Sequence, residues 1–298
     1  MTRLSAVKEQ DSRSTGHDPR ARLQAGMPVT ERRLELAGVS TAVLEGGEGP
    51  PLVLLHGPGE FAAKWFRVMP ELVTTHRVIA PDLPGHGASD APGPLEAERI
   101  LAWLDELIER TCPSPPTLAG QIVGGAIAAR YTAGQSGRVA RLVLVDTLGL
   151  VPFQPAPEFE RALVEFLSHP TEDTVDGLWA QCAFDLDGLR NRMGDGWTLL
   201  KAYALDRARS PAGQAAVHAI MEQFGFPAIE TADLARITVP TTLIWGRHDL
   251  ATPVEVAESA SARYGWPLHV IEGAGVDPAI EQPEAFTQAL RAACAAAR

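Results

Sequence analysis

Apolar positions along the chain follow two periods. Glu31–Leu36 and Thr41–Leu44 alternate apolar and polar residues around Gly38, which predicts a hairpin with one covered face. Pro51–Leu55 is apolar throughout and runs into His56-Gly57-Pro58-Gly59, as expected for a parallel strand buried on both faces that feeds a glycine loop. A helix is predicted from Ala62 to Val73, a strand over Arg77–Ala80, a helix from Leu95 to Arg110 and a strand over Pro116–Ala119. A small-residue helix then begins near Val123, and a strand follows over Val139–Val145. Alternation stops over 151–230, which reads as helical throughout, with turns at His169-Pro170, Gly194-Asp195-Gly196 and Ser210-Pro211. It resumes with a strand at Pro240–Trp245, a helix from Val254 to Arg263, a strand at Leu268–Ile271 and a final helix from Pro283 to Ala296. Strands alternating with helices define an α/β chain with a mostly parallel sheet flanked by helices. Residues 1–28 are polar, mixed in charge and poor in aromatics, so a mobile leader is expected there. The core is then expected over 29–150 and 231–298, with 151–230 inserted as a helical lid.

Composition narrows the partners. A net charge of −11 disfavours nucleic acid and anionic membrane surfaces. No apolar run approaches a membrane span and no secretory signal core is visible, so a cytoplasmic protein is expected. Cys112, Cys182 and Cys294 are far apart and odd in number, which fits reduced thiols rather than a disulfide framework or a zinc site. There is no glycine-rich phosphate loop, so no cofactor is expected. Nine of the 18 aromatic residues fall in 151–230, among them Phe153 and Trp179. They are read either as an ordinary helical core or as one apolar wall of a pocket for a small molecule or modified peptide.

The chemistry centres on Leu118-Ala-Gly-Gln-Ile-Val-Gly-Gly-Ala126. A strand, a sharp turn bounded by Gly120 and Gly124, and a helix make the layout of a nucleophile elbow. The reacting position holds Ile122, whose side chain has no lone pair to attack with and no proton to give up. With His56-Gly57, Pro81-Asp-Leu-Pro-Gly-His-Gly-Ala-Ser89, Gly246-Arg-His-Asp249 and Glu272-Gly-Ala-Gly-Val-Asp277 in order, the chain resembles the α/β-hydrolases from about Glu31 onward. That resemblance implies an α/β-hydrolase fold and places the nucleophile at Ile122, the acid at Asp249 and the base at Val276. It also places the oxyanion-hole donors at Val123, which keeps its N–H, and at Pro58, which has none. Gly59 would substitute only if the loop shifts.

A desolvated Asp249 is read either as a vestigial triad acid able to accept a proton, or as a carboxylate that caps its own loop. Glu60 is read as a helix N-terminal carboxylate or a pocket residue; His56 and His86 are read as structural. The missing nucleophile and base resemble the atypical α/β-hydrolases typified by the bottromycin peptide aspartate epimerase. That narrower resemblance implies a substrate-assisted inversion of an α-carbon, with Pro58, Gly59, Ile122, Val123, Val276, Phe153 and Trp179 lining the substrate. A ligand-binding protein without chemistry, and a hydrolase with a relocated nucleophile, remain open alternatives.

Overall fold

The computed structural model describes residues 18–295. Its strands are β1 (Thr30–Leu36), β2 (Val39–Gly46), β3 (Pro51–Leu55), β4 (Arg77–Pro81), β5 (Thr117–Gln121), β6 (Arg141–Val145), β7 (Thr241–Gly246) and β8 (Leu268–Ile271). They form one sheet in the order β1-β2-β4-β3-β5-β6-β7-β8. β1 pairs antiparallel with β2, and β2 antiparallel with β4; every later pair is parallel. Leu36 faces Val39 across the hairpin, so Ala37 and Gly38 form a two-residue turn, both at positive φ (45° and 74°).

β3 lies between β4 and β5, so the chain leaves it in one direction and returns on the other side. In open parallel sheets such a switch point opens a crevice at the C-terminal strand ends, which is where ligands bind. All five residues of β3 and of β5 are buried; β3 is apolar throughout, and in β5 the buried Gln121 is satisfied by Lys64 and Val276 O.

The principal helices are α1 (Pro19–Gln24), α2 (Ala97–Thr111), α3 (Val123–Gly134), α4 (Pro157–Ser168), α5 (Glu172–Cys182), α6 (Leu186–Met193), α7 (Asp195–Arg209), α8 (Pro211–Ile220), α9 (Val254–Tyr264) and α10 (Pro283–Ala295). α2 buries Ile100, Trp103, Leu104, Leu107 and Ile108, the three-and-four spacing of a core-facing stripe. α4 to α8, with a π turn at Met221–Gly225, are inserted between β6 and β7. No helix among the described residues is long and apolar enough to cross a membrane.

Two expectations change. The helix expected over 62–73 is divided into a 3₁₀ stretch, Ala62–Arg67, and a single turn, Met69–Leu72. Pro70 has no N–H for an i→i−4 bond, so one continuous helix cannot run through it. The mobile leader expected over 1–28 is replaced, over the described part, by α1. Asp18 caps this helix through a 3.0 Å bond from the Arg20 N–H. Arg20 is buried and pairs with Asp82 (2.7 Å) and Glu31 (2.6 Å), while Leu23 and Met27 join the core. Asp82 is fully buried at the end of β4, and the Arg20 guanidinium supplies its counter-charge. Residues 1–17 lie outside the described part.

Candidate active site

Three loops meet at the switch point: 56–60 after β3, 120–124 around the elbow, and 273–281 after β8. Tight glycine packing locks the elbow. A side-chain carbon on Gly124 would lie 2.6 Å from the carbonyl oxygens of both Leu55 and His56. Ile122 is held at φ 50°, ψ −114°. For a β-branched residue this is a genuine outlier, at a cost of roughly 1–3 kcal/mol. Its backbone is pinned on both sides: the N–H donates to Val145 O (3.0 Å), and the carbonyl accepts from the N–H groups of Ala126 (3.2 Å) and Leu148 (3.1 Å). The strain aims the side chain away from the sheet. There it packs in one apolar cluster with Val276, Phe153, Phe159, Leu163, Leu178, Cys182, Leu250 and Ala251.

Ile122, Val276 and Phe153 are therefore brought together, and Val123 begins α3 beside them. Pro58 and Gly59 are partly exposed at the rim, with Gly59 at φ 73°. Trp179 lies outside this cluster: it packs edge-on against Trp197, centroids 5.0 Å apart, inside the insertion. Leu178 and Cys182 are the residues that α5 turns toward Ile122 instead. The sequence marked Trp179 by residue type, whereas the face of α5 that meets the elbow follows from how the helix docks.

Asp249 is buried, and both of its oxygens are engaged. One carboxylate oxygen accepts from the Ala251 and Thr252 N–H groups (2.7 and 3.0 Å), and the other accepts from the Thr252 hydroxyl. It closes its own turn, the structural of its two readings. Burial nevertheless pushes its pKa up to about 6, against the pull of those donors. Asp146, at φ 42°, lies beside it and accepts from the Gly246 N–H (2.8 Å). Burial, then the Asp249 charge, hold Asp146 well above the carboxylate range. Both groups are thus structural carboxyls.

The histidines stay structural as well. His56 is fully buried and links two loops: one ring nitrogen accepts from the Leu83 N–H (2.9 Å) and the other bonds the Gly57 carbonyl (2.8 Å). Burial holds His56 well below, and His86 at about 4, so both are neutral rings. His248 is exposed and stacks on Phe184.

A relocated nucleophile finds no support among the neighbouring side chains. The Ser89 hydroxyl donates to Asp82 O (2.8 Å) and accepts from the Ala42 N–H (3.0 Å). The Cys182 thiol is held well above its ordinary value, first by burial and then by the Asp249 charge, so it is not a thiolate. Among the described residues, no group of three or more His, Cys, Asp or Glu side chains is arranged to hold a metal ion.

A charged group beneath the elbow escaped sequence reasoning. Lys64 is 1% exposed and its ammonium bonds Asp277 (2.9 Å), Glu60 (3.1 Å) and the Gln121 side-chain oxygen. Gln121 donates in turn to Val276 O (2.9 Å). Glu60 also accepts the Gly57 N–H (2.6 Å). One ammonium thus ties together the loops that the resemblance assigns to the oxyanion hole, nucleophile and base. A signal for it was present: Lys64 is one of three lysines in an arginine-rich chain, four residues after Glu60 and flanked by Ala62-Ala63 and Trp65-Phe66.

An open sheet with this strand order, an elbow held at positive φ at its switch point and a helical insertion before β7 define an α/β-hydrolase architecture. The model of the alpha/beta hydrolase family matches residues 52–289, and the chain belongs to that family. It is similar to a 2-hydroxymuconate semialdehyde hydrolase of Pseudomonas sp., 29% identical over 251 residues that span 77% of this chain and 81% of the relative. It is also similar to a pimeloyl-[acyl-carrier protein] methyl ester esterase of Aeromonas hydrophila, 28% identical over 84% of this chain and 97% of that one. Among solved structures, a meta-cleavage product hydrolase from Pseudomonas fluorescens IP01 aligns with a TM-score of 0.73 at 25% identity, covering 88% of this chain and 97% of that chain. A bacterial membrane phospholipase A shares the fold at a TM-score of 0.78 and 24% identity, over 97% of this chain and 96% of the other.

Proposed function

We propose that this chain is a non-hydrolytic member of its family, which binds an apolar or modified-peptide substrate and inverts or isomerises a carbon whose proton is already acidic. Peptide epimerases of natural-product biosynthesis, acting on an aspartate α-carbon, are the best-fitting class. The observation that carries the reading is Ile122, kept at φ 50° with its side chain packed against the apolar cluster that holds Val276. A decayed elbow gains nothing from that strain and would relax. A repurposed one keeps the strain because it holds an aliphatic floor in place.

The hydrolytic route lacks its parts. Ile122 cannot attack, Val276 cannot accept a proton, Pro58 has no N–H, and the Gly57 N–H is already given to Glu60. Proton removal beside a C=N bond needs no covalent intermediate. A water-poor site that holds the C–H in line with the π-system, and a carboxylate from enzyme or substrate, suffice. The named activities of the relatives, on small molecules and a carrier-bound acyl ester, support a small-molecule or peptide ligand.

The engaged oxygens of Asp249 favour a second reading, a binding protein without chemistry. One experiment separates the readings: incubation with thiazoline-containing peptides in D₂O, followed by mass spectrometry. The proposal expects deuterium at one carbon without cleavage. Cleavage products would sink it in favour of hydrolysis, and a thermal shift without any deuterium uptake would leave only binding.

A further inference from the structure

Five carboxyl groups and one ammonium surround the apolar floor. Asp249 is closed off by its own turn, and Asp146 is fully buried with one oxygen on the Gly246 N–H. Glu281 accepts the N–H groups of Phe184 (2.8 Å) and Gly275 (2.8 Å), so it clasps the end of α5 to the loop after β8. Asp277 and Glu60 share Lys64, and they differ in access. The side chains of Asp277 and Lys64 are 5% and 1% exposed, whereas that of Glu60 is 26% exposed. Glu60 is therefore the member of the trio that reaches open space.

Its place is informative. A side-chain carbon added to Gly57 would lie 2.8 Å from the Glu60 Oε2 and 3.2 Å from the Ile122 Cδ1. The carboxylate and the Ile122 methyl thus flank the same point above the elbow. A substrate resting on Ile122 meets Glu60 before any other ionisable group of the trio.

We propose that Glu60 is the proton-transferring group of this site, with Lys64 and Asp277 as its positioning residues. The assignment rests on the non-hydrolytic reading above and replaces Asp249 with a carboxylate that can reach a ligand. In the step, a Glu60 oxygen forms an O–H bond as the substrate C–H bond breaks. The C–H bonding pair forms a double bond to the imine carbon, and the C=N π pair moves onto nitrogen, which carries the negative charge. Reversal from Glu60 returns a hydron to the same face and gives exchange; for inversion a water molecule gives its hydron to the opposite face, and the resulting hydroxide takes the proton held by Glu60. Nothing is oxidised or reduced, and water supplies the exchanging hydron.

The trio suits this duty. Two carboxylates on one ammonium leave one negative charge in excess, so a proton is easily accepted. Burial, opposed by Lys64 and assisted by Asp277, raises the Glu60 pKa. Lys64 holds the side chain in place from its own turn, and Asp277 faces it from the loop after β8. The Gly57 N–H fixes Oε2 from the third side.

Two measurements test the assignment. The first follows the ¹³C-carboxyl signal of ¹³C-glutamate-labelled protein, assigned as the resonance lost in Glu60→Gln. Its midpoint is expected above the ordinary glutamate range, lower in Asp277→Asn and higher in Lys64→Met. A signal in the ordinary range that ignores both substitutions overturns the proposal. The second is deuterium exchange into a thiazoline peptide. Folded Glu60→Gln, checked by circular dichroism, is expected to lose at least about 100-fold in exchange rate. Undiminished exchange in this variant overturns the role of Glu60 while leaving the non-hydrolytic reading intact. A wild-type protein that exchanges no hydron removes that reading, and the carboxyl titration then decides the Glu60 assignment alone.

Discussion

Replacing Lys64 with Met removes an ammonium that three acceptors share, and keeps most of the buried volume. Asp277 is left 5% exposed with no counter-charge, and the Gln121 oxygen loses its donor. Breaking a buried pair by removing one partner costs about 3–5 kcal/mol, because the surviving charge stays desolvated. Glu60 is more accessible, so water screens part of its loss. A net destabilisation of roughly 3 kcal/mol follows, on the order of 10 °C in melting temperature for a domain of this size. Urea unfolding of wild type and Lys64→Met at pH 7.5 provides the measurement, and Lys64→Met with Asp277→Asn is the control. The double variant no longer buries the Asp277 charge and should recover most of the loss. As pH falls below 7.5 the single variant should suffer progressively less, since burial raises the Glu60 pKa and its protonation removes one of the two orphaned charges. A loss under about 1 kcal/mol at pH 7.5, or a double variant no better than the single, would refute the idea that these charges are desolvated.

Other predictions concern chemistry, docking and pH. Neither p-nitrophenyl acetate turnover above a heat-killed control nor fluorophosphonate labelling is expected, and Ile122→Ser with Val276→His should not bring the rate within tenfold of an ordinary esterase. A double variant that reached that rate would show that the loop missing a donor at Pro58 still stabilises an oxyanion. Arg20→Ala leaves Asp82 buried and unpaired, so urea melts should show a loss of roughly 2–4 kcal/mol; a loss within error would mean α1 does not hold Asp82 in solution. Burial raises Asp249 to about 6 and Glu281 to about 7, so the folded chain keeps protons that the unfolded chain has already released. Stability should therefore fall as pH rises from about 4 toward 7, by on the order of a few kcal/mol. A stability that climbs steadily from pH 5 to pH 8 in chemical denaturation would contradict this.

Most of the sheet is legible in the chain itself, because strand formation is a local matter of period and turn residues. Leu268–Ile271 ends where the pattern ends, and α2 starts two residues from its expected position. The order of motifs also directs attention to Ile122 and Val276, and the structure places both at one apolar cluster. Sequence could not say where the helical insertion would turn its faces. Trp179 carries the residue type of a pocket wall, yet the docking angle of α5 gives that role to Leu178 and Cys182. Nor could it say which carboxylate lies open to a ligand: Asp249 and Glu60 both sit beside glycine loops and both have their oxygens engaged, but Asp249 is buried whereas the Glu60 side chain is 26% exposed. The polar stretch before Thr30 lacks the apolar periodicity of a packed element, but the Asp82 charge on a distant strand end recruits Arg20 into the core. Lys64 meets Asp277 across 213 positions of chain, a pairing that local propensity cannot encode and that arises because the loop after β8 folds back to the elbow, where Gln121 bonds Val276 O.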